Sequence, residues 1–142
     1  MFEGEPIMEM FFFVHLLFMS LGLVLIILGV VTARYGRKKA WWFRLHKMLG
    51  ILAATFFLFG GAAAIVMVSL SGGSHLAVPH AWFGSGTLLL MIMAVTAGYL
   101  QTKVVQKKRM RWIHRNTGRT VLVLSLFALT TGLIAAGIIP IS

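Results

Sequence analysis

An all-α fold, an integral membrane four-helix bundle, is what this sequence predicts, and three observations carry the prediction. Of 142 residues, 59% are hydrophobic and 11% charged, and the mean hydropathy of +0.93 lies outside the range of soluble globular chains. The apolar residues form four stretches, each with the roughly 20 residues needed to cross a hydrocarbon core about 30 Å thick. The charges are segregated: every Lys and Arg falls between Arg34 and Lys47 or between Lys103 and Arg119, and every carboxylate (Glu3, Glu5, Glu9) precedes the first apolar stretch. Residues 1–142 read as a single transmembrane domain.

Helix 1 is expected over about residues 10–33. The acidic residues ahead of it lack the basic n-region of a cleaved signal peptide, so the segment is read as part of the mature chain. Helix 2 is expected over 44–70, emerging from the first basic stretch. The connection Ser-Gly-Gly-Ser-His-Leu-Ala-Val (71–78) has loop composition. Helix 3 is expected over 79–102, with Pro79 in its first turn, and helix 4 over 112–139, with Pro140 as its stop.

In this topology the connections 34–44 and 103–111 lie on one side of the membrane. Positively charged loops stay in the cytoplasm, so that side is expected to be cytoplasmic. The N- and C-termini and the 71–78 loop are then external, and the plasma membrane is the expected location. The net charge of +10 would suggest a nucleic-acid partner on a soluble surface, but here it is confined to two membrane-flanking stretches, and no nucleic acid is expected. The chain contains no cysteine, which excludes disulfides, iron–sulfur clusters and cysteine-tethered haem.

Four of the five histidines, His15, His46, His80 and His114, stand near the starts of the four segments. His46 to His80 and His80 to His114 are both intervals of 34 residues. Successive segment starts lie on opposite sides, so His15 shares a level with His80, and His46 with His114. One histidine near a helix end can be interfacial; four, paired by depth, suggest a function. A b-type haem takes two neutral imidazoles on opposite sides of a flat ring, without a covalent tether, and helices of a bundle can supply them from facing positions. Two non-covalent, bis-histidine haems b are therefore expected, with irons on the order of 20 Å apart along the membrane normal. These four histidines are the expected iron ligands.

Three of them share the pattern His-x3-Gly: His46 with Gly50, His80 with Gly84 and His114 with Gly118. A residue four positions on lies on the same helical face, and glycine there removes a side chain that would strike a porphyrin. Helix 1 has Met19 at that spacing and its nearest glycine at Gly22. Phe43, Trp82 and Trp112 are the aromatic residues near these histidines. Gly29 and Gly98 fall at the cytoplasmic level and Gly60, Gly61 and Gly132 at the external one, so each non-ligating helix offers a small residue beside a haem; small residues also pack membrane helices in general. Arg44, Lys47, Arg115 and Arg119 flank two of the ligands and are candidates to pair with haem propionates. The other haem would have to use Ser71, Ser74, His75, backbone amides or water. The cytoplasmic haem should then have the higher potential, because nearby positive charge favours the reduced state. His75 reads as a loop residue. Tyr35, Trp41 and Trp42 read as an interfacial belt.

These residues resemble the cytochrome b561 superfamily. The resemblance rests on "TARYG" (32–36), "WFRLHKMLG" (42–50), "PHAWFG" (79–84) and "WIHRNTGR" (112–119), and it covers about residues 11–135. It implies two b haems, one ligated by helices 1 and 3 and one by helices 2 and 4, and electron transfer across a membrane. Many relatives have six helices, whereas this chain has the four-helix core alone, so its outer faces would be covered by lipid, a second copy or other subunits. The expected partners are membrane lipid and a redox donor and acceptor on opposite sides, whether quinol or protein. The chain then acts as an electron-transfer protein or as a subunit of a larger redox complex. A self-contained ferric or quinone reductase, and a non-redox scaffold or metal or proton transporter, are the alternative classes.

Overall fold

The computed structural model describes residues 6–140; Glu3 and Glu5 lie outside them. Four helices follow one another: α1 (Pro6–Tyr35), α2 (Trp42–Leu70), α3 (Pro79–Leu100) and α4 (Lys107–Ala135), with a single 3-10 turn at Gly36–Lys38. All four are long and apolar enough to cross a membrane, and the chain is an integral, multi-pass membrane protein. Among the described residues there is no strand.

The helix ends depart from the sequence reading where local backbone chemistry overrides hydropathy. α4 begins at Lys107 rather than 112, because Lys and Arg are good helix formers and the helix continues past the apolar stretch. It ends at Ala135 rather than 139. Gly137 takes a φ of +71°, its N–H bonds Ile134 O, and the Ile138 N–H bonds Leu133 O. That is a Schellman cap, which needs a left-handed residue just past the helix. Gly72 (φ +65°) ends α2 in the same way. α3 opens on Pro79 as expected.

The helices pair as two antiparallel hairpins. α1 packs along α2, and α3 along α4, over most of their lengths, while α2 meets α3 far less and α1 barely touches α4. The basic connections lie together at one end, called here the basic end; the 71–78 loop lies at the other.

One repeating seam makes up most of the buried interior. From each of the four histidines, the residues 7, 11 and 14 positions on are buried: Gly22, Ile26 and Gly29 in α1; Ala53, Phe57 and Gly60 in α2; Thr87, Met91 and Ala94 in α3; Val121, Ser125 and Ala128 in α4. Steps of 7, 4 and 3 keep a residue on one face of a 3.6-residue helix. Because adjacent helices are antiparallel, the four residues at the seventh position fall at mid-depth. The core cluster of Ile26, Ala53, Phe57, Met91 and Val121 sits there. The Thr87 and Ser125 hydroxyls are buried in the same region. Each donates to the carbonyl one turn back, Phe83 O at 2.8 Å and Val121 O at 2.7 Å, so neither breaks the rule that buried polar groups are bonded.

Candidate functional site

The seam ends in histidines at both levels, and the structure brings them together in the pairs expected. The rings of His15 and His80 lie 5.8 Å apart, centroid to centroid, with planes at 84°. The rings of His46 and His114 lie 5.8 Å apart with planes at 82°. Each pair joins diagonal helices, one from each hairpin.

Every one of these imidazoles is anchored through Nδ1 to a backbone carbonyl of its hairpin partner. His15 Nδ1 donates to Gly60 O at 2.8 Å and His46 Nδ1 to Gly29 O at 2.9 Å. His80 Nδ1 donates to Ala128 O and His114 Nδ1 to Ala94 O, both at 2.8 Å. A carbonyl can only accept, so in a neutral ring the proton must sit on Nδ1 and Nε2 is left with its lone pair. This is the arrangement that orients a metal-ligating histidine and raises its basicity.

The carbonyl acceptors follow a rule. Gly29, Gly60, Ala94 and Ala128 are each 14 residues after the histidine of their own helix, so the two helices of a hairpin exchange the same bond at both ends. Fourteen residues of helix place the two levels about 21 Å apart. Two other glycines leave room for the rings. A Cβ on Gly132 would lie 2.8 Å from His80 Cε1, and one on Gly98 would lie 3.0 Å from His114 Cε1. Both distances are closer than a Cβ normally comes. Gly29 would give only ordinary contact with His46, at 3.9 Å. Of the glycines expected to line a cofactor from the opposite end of each helix, Gly98 and Gly132 make room for the partner helix's imidazole, whereas Gly60 faces Met19 and Phe18, and Gly61 faces Leu88.

Gly50, Gly84 and Gly118 differ. A Cβ at any of them would meet nothing within 4 Å, so they face open space one turn along from a histidine. Arg44, Lys47, Arg115 and Arg119 are exposed at the basic end. Glu9, in the first turn of α1, is the one carboxylate among the described residues, so the cations of the basic end have no carboxylate beside them there. His75 does not join the His15–His80 pair; its Nε2 lies 3.4 Å from Ser69 Oγ in an exposed turn. Phe43, Trp82 and Trp112 turn outward. Among the described residues, Trp42 packs near one of the paired histidines, 6.3 Å from His46. Tyr35 and Trp41 are exposed beside it, as an interfacial belt would be. An apolar cavity opens beside His80, lined by Val78, Pro79, Thr131, Ile134 and Ala135.

Among the described residues no three His, Cys, Asp or Glu side chains converge. The imidazoles act in twos, whereas a bare structural zinc ion takes about four protein ligands. Two metal–nitrogen bonds of about 2 Å, plus about 1 Å from each nitrogen to its ring centre, span roughly 6 Å, close to the spacing of both pairs. A spacing of this size would admit a metal ion between the two imidazoles of a pair. The family described as eukaryotic cytochrome b561 matches residues 14–139, and the chain belongs to this family. It is therefore a membrane-embedded b-type cytochrome that binds haem b and transfers electrons. Neither a curated protein nor a solved structure matches the chain significantly.

Proposed function

We propose that the chain binds two haems b, one at each histidine pair, and carries electrons from one membrane face to the other. The single observation that supports this best is the equivalence of the two levels: facing imidazoles at 5.8 Å, each held by an Nδ1–carbonyl bond that leaves Nε2 free. His15 and His80 are the ligands at one level, His46 and His114 at the other. When bound, haem supplies a one-electron carrier that cycles between ferric and ferrous iron. The residues around it fix its place. The backbone carbonyls of Gly29, Gly60, Ala94 and Ala128 hold the imidazoles, and Gly50, Gly84 and Gly118 leave room beside them. Arg44, Lys47, Arg115 and Arg119 offer charge-assisted bonds to propionates at the basic level. The packed mid-depth tier keeps the two levels about 21 Å apart along the helices, so that ring edges come much closer than the irons do.

The basic end faces the cytoplasm, in keeping with the positive-inside rule. The plasma membrane is the setting this orientation suits. The cations of the basic end, with no carboxylate beside them among the described residues, also favour an anionic redox partner on that side by steering its approach. The other partner, a quinol or a protein, meets the end that carries the 71–78 loop, and the outer apolar faces are covered by lipid, a second copy or other subunits of a complex.

The test is transfer across a sealed bilayer. Proteoliposomes carrying the chain should pass electrons from an external reductant to ferricyanide trapped inside. His46→Ala and His80→Ala, each removing one level, should both stop it. Undiminished transfer in either variant would falsify the two-level relay.

A further inference from the structure

Each hairpin is internally complete and carries half of both sites. Within α1–α2, the Phe57 ring lies where a Cβ on Gly22 would come within 2.6 Å of it, and Phe18 and Met19 close on Gly60. Phe18 also packs on Phe56 and Phe59. Within α3–α4, Phe83 stacks on Phe127, and Gly98 and Gly132 receive the rings of His114 and His80. All four histidine–carbonyl bonds stay inside a hairpin. Between hairpins the contacts are sparse. Among the described residues they include the mid-depth cluster, an approach of Leu88 to Gly61, and, at each level, the edges of two facing imidazoles. In lipid there is no hydrophobic force pressing helices together; association depends on packing and polar contacts. The hairpins have plenty of both within themselves and little between themselves.

We propose that α1–α2 and α3–α4 are preformed half-sites and that haem is the clamp joining them. Each haem takes one ligand from each hairpin, so the two together pin the halves at both ends. The 71–78 connection then serves only to keep the halves on one chain. This inference rests on the two-haem reading above and extends it from electron transfer to assembly.

The experiment places a protease recognition sequence between Gly73 and Ser74, in the exposed turn, and a purification tag at the C-terminus. The full chain is purified in mild detergent with its haem, cut, and held by the tag. The expected result is that the untagged piece, residues 1–73, stays bound and the haem spectrum persists. Two haem-free samples are treated alike: the His15→Ala/His46→Ala variant, and the unsubstituted chain made without haem supply. In both, residues 1–73 should wash away, each piece should keep its helical circular dichroism, and hemin should rejoin the unsubstituted pieces but not the variant ones. Retention of residues 1–73 in the haem-free samples, or release with both haems still bound, would overturn the clamp. Loss of helix in the separated pieces would overturn the idea of preformed halves. A full chain that binds no haem under replete conditions instead removes the two-haem reading itself, and that failure is visible before any cut is made.

Discussion

At the basic end His46 and His114 face each other at 5.8 Å and 82°, with thirteen cations gathered around their end of the bundle. At the other end His15 and His80 face each other at 5.8 Å and 84°, with no cation in the neighbouring 71–78 loop. The imidazole geometry of the two levels is the same because one backbone rule, histidine to the carbonyl at position 14 of the hairpin partner, builds both. What differs is the charge around them and the buried residue that each looks onto. Antiparallel packing shifts Ile26 and Met91 toward the basic level and Phe57 and Ser125 toward the other. The pairing of imidazoles is thus a property of the repeat, and any functional difference between the levels has to come from the surroundings.

Removing a ligand should break the equivalence most severely. In His46→Ala we expect the basic-level haem to be lost and the other kept, so that haem per polypeptide halves; His15→Ala should leave the complementary spectrum. A variant that retains both haems would reject the pairing. Next in size are the glycines that admit the rings. Gly132→Ala introduces a Cβ at 2.8 Å from His80, and overpacking of this kind costs about 1–3 kcal/mol. The expected outcome is a lower thermal midpoint and reduced occupancy at the loop-side level only, read by haem content. Gly98→Ala should act in the same way on the basic level, and more mildly, since its contact is 3.0 Å.

The charge difference should appear as a difference in potential. The basic-level haem is expected to be the more easily reduced, because nearby cations stabilise the electron. Neutralising Arg44, Lys47, Arg115 or Arg119 with Gln should lower that potential and bring the two closer. Redox titration of the ligand variants assigns each potential to its level, and the opposite ranking would contradict this account. The smallest effect belongs to Gly50→Ala. If the space beside Gly50 were merely lipid, the substitution would stabilise α2 by about 1 kcal/mol through helix propensity. With a porphyrin there, we expect the apo-chain to gain stability while haem affinity at the basic level falls.

The sequence made the four spans legible because apolar length and segregated charge are strong signals, and helix parity alone paired the histidines correctly. The seam that supports them was not legible. Membrane helices are apolar on every side, so hydrophobicity does not mark the inward face. The residues that matter there, Gly22, Gly29, Gly60, Ala53 and Ala94, are small rather than distinctive. The Nδ1 acceptors are backbone carbonyls, which no side-chain pattern displays. The constant spacing of 14 from each histidine to Gly29, Gly60, Ala94 and Ala128 is the one trace of the seam in the sequence. Phe43, Trp82 and Trp112 lie near the histidines in sequence, but helical geometry turns them outward and brings Trp42 to His46 instead. The extra turn of α4 at Lys107 and its early stop at Gly137 reflect propensity and capping, which act independently of the membrane.

The claim on which the rest depends is that both levels hold haem. Its most direct test is the amount of haem b per polypeptide, measured by pyridine haemochrome on the chain purified in mild detergent after haem-replete expression. The account predicts two haems per chain; a stoichiometry of one, or none, would contradict it.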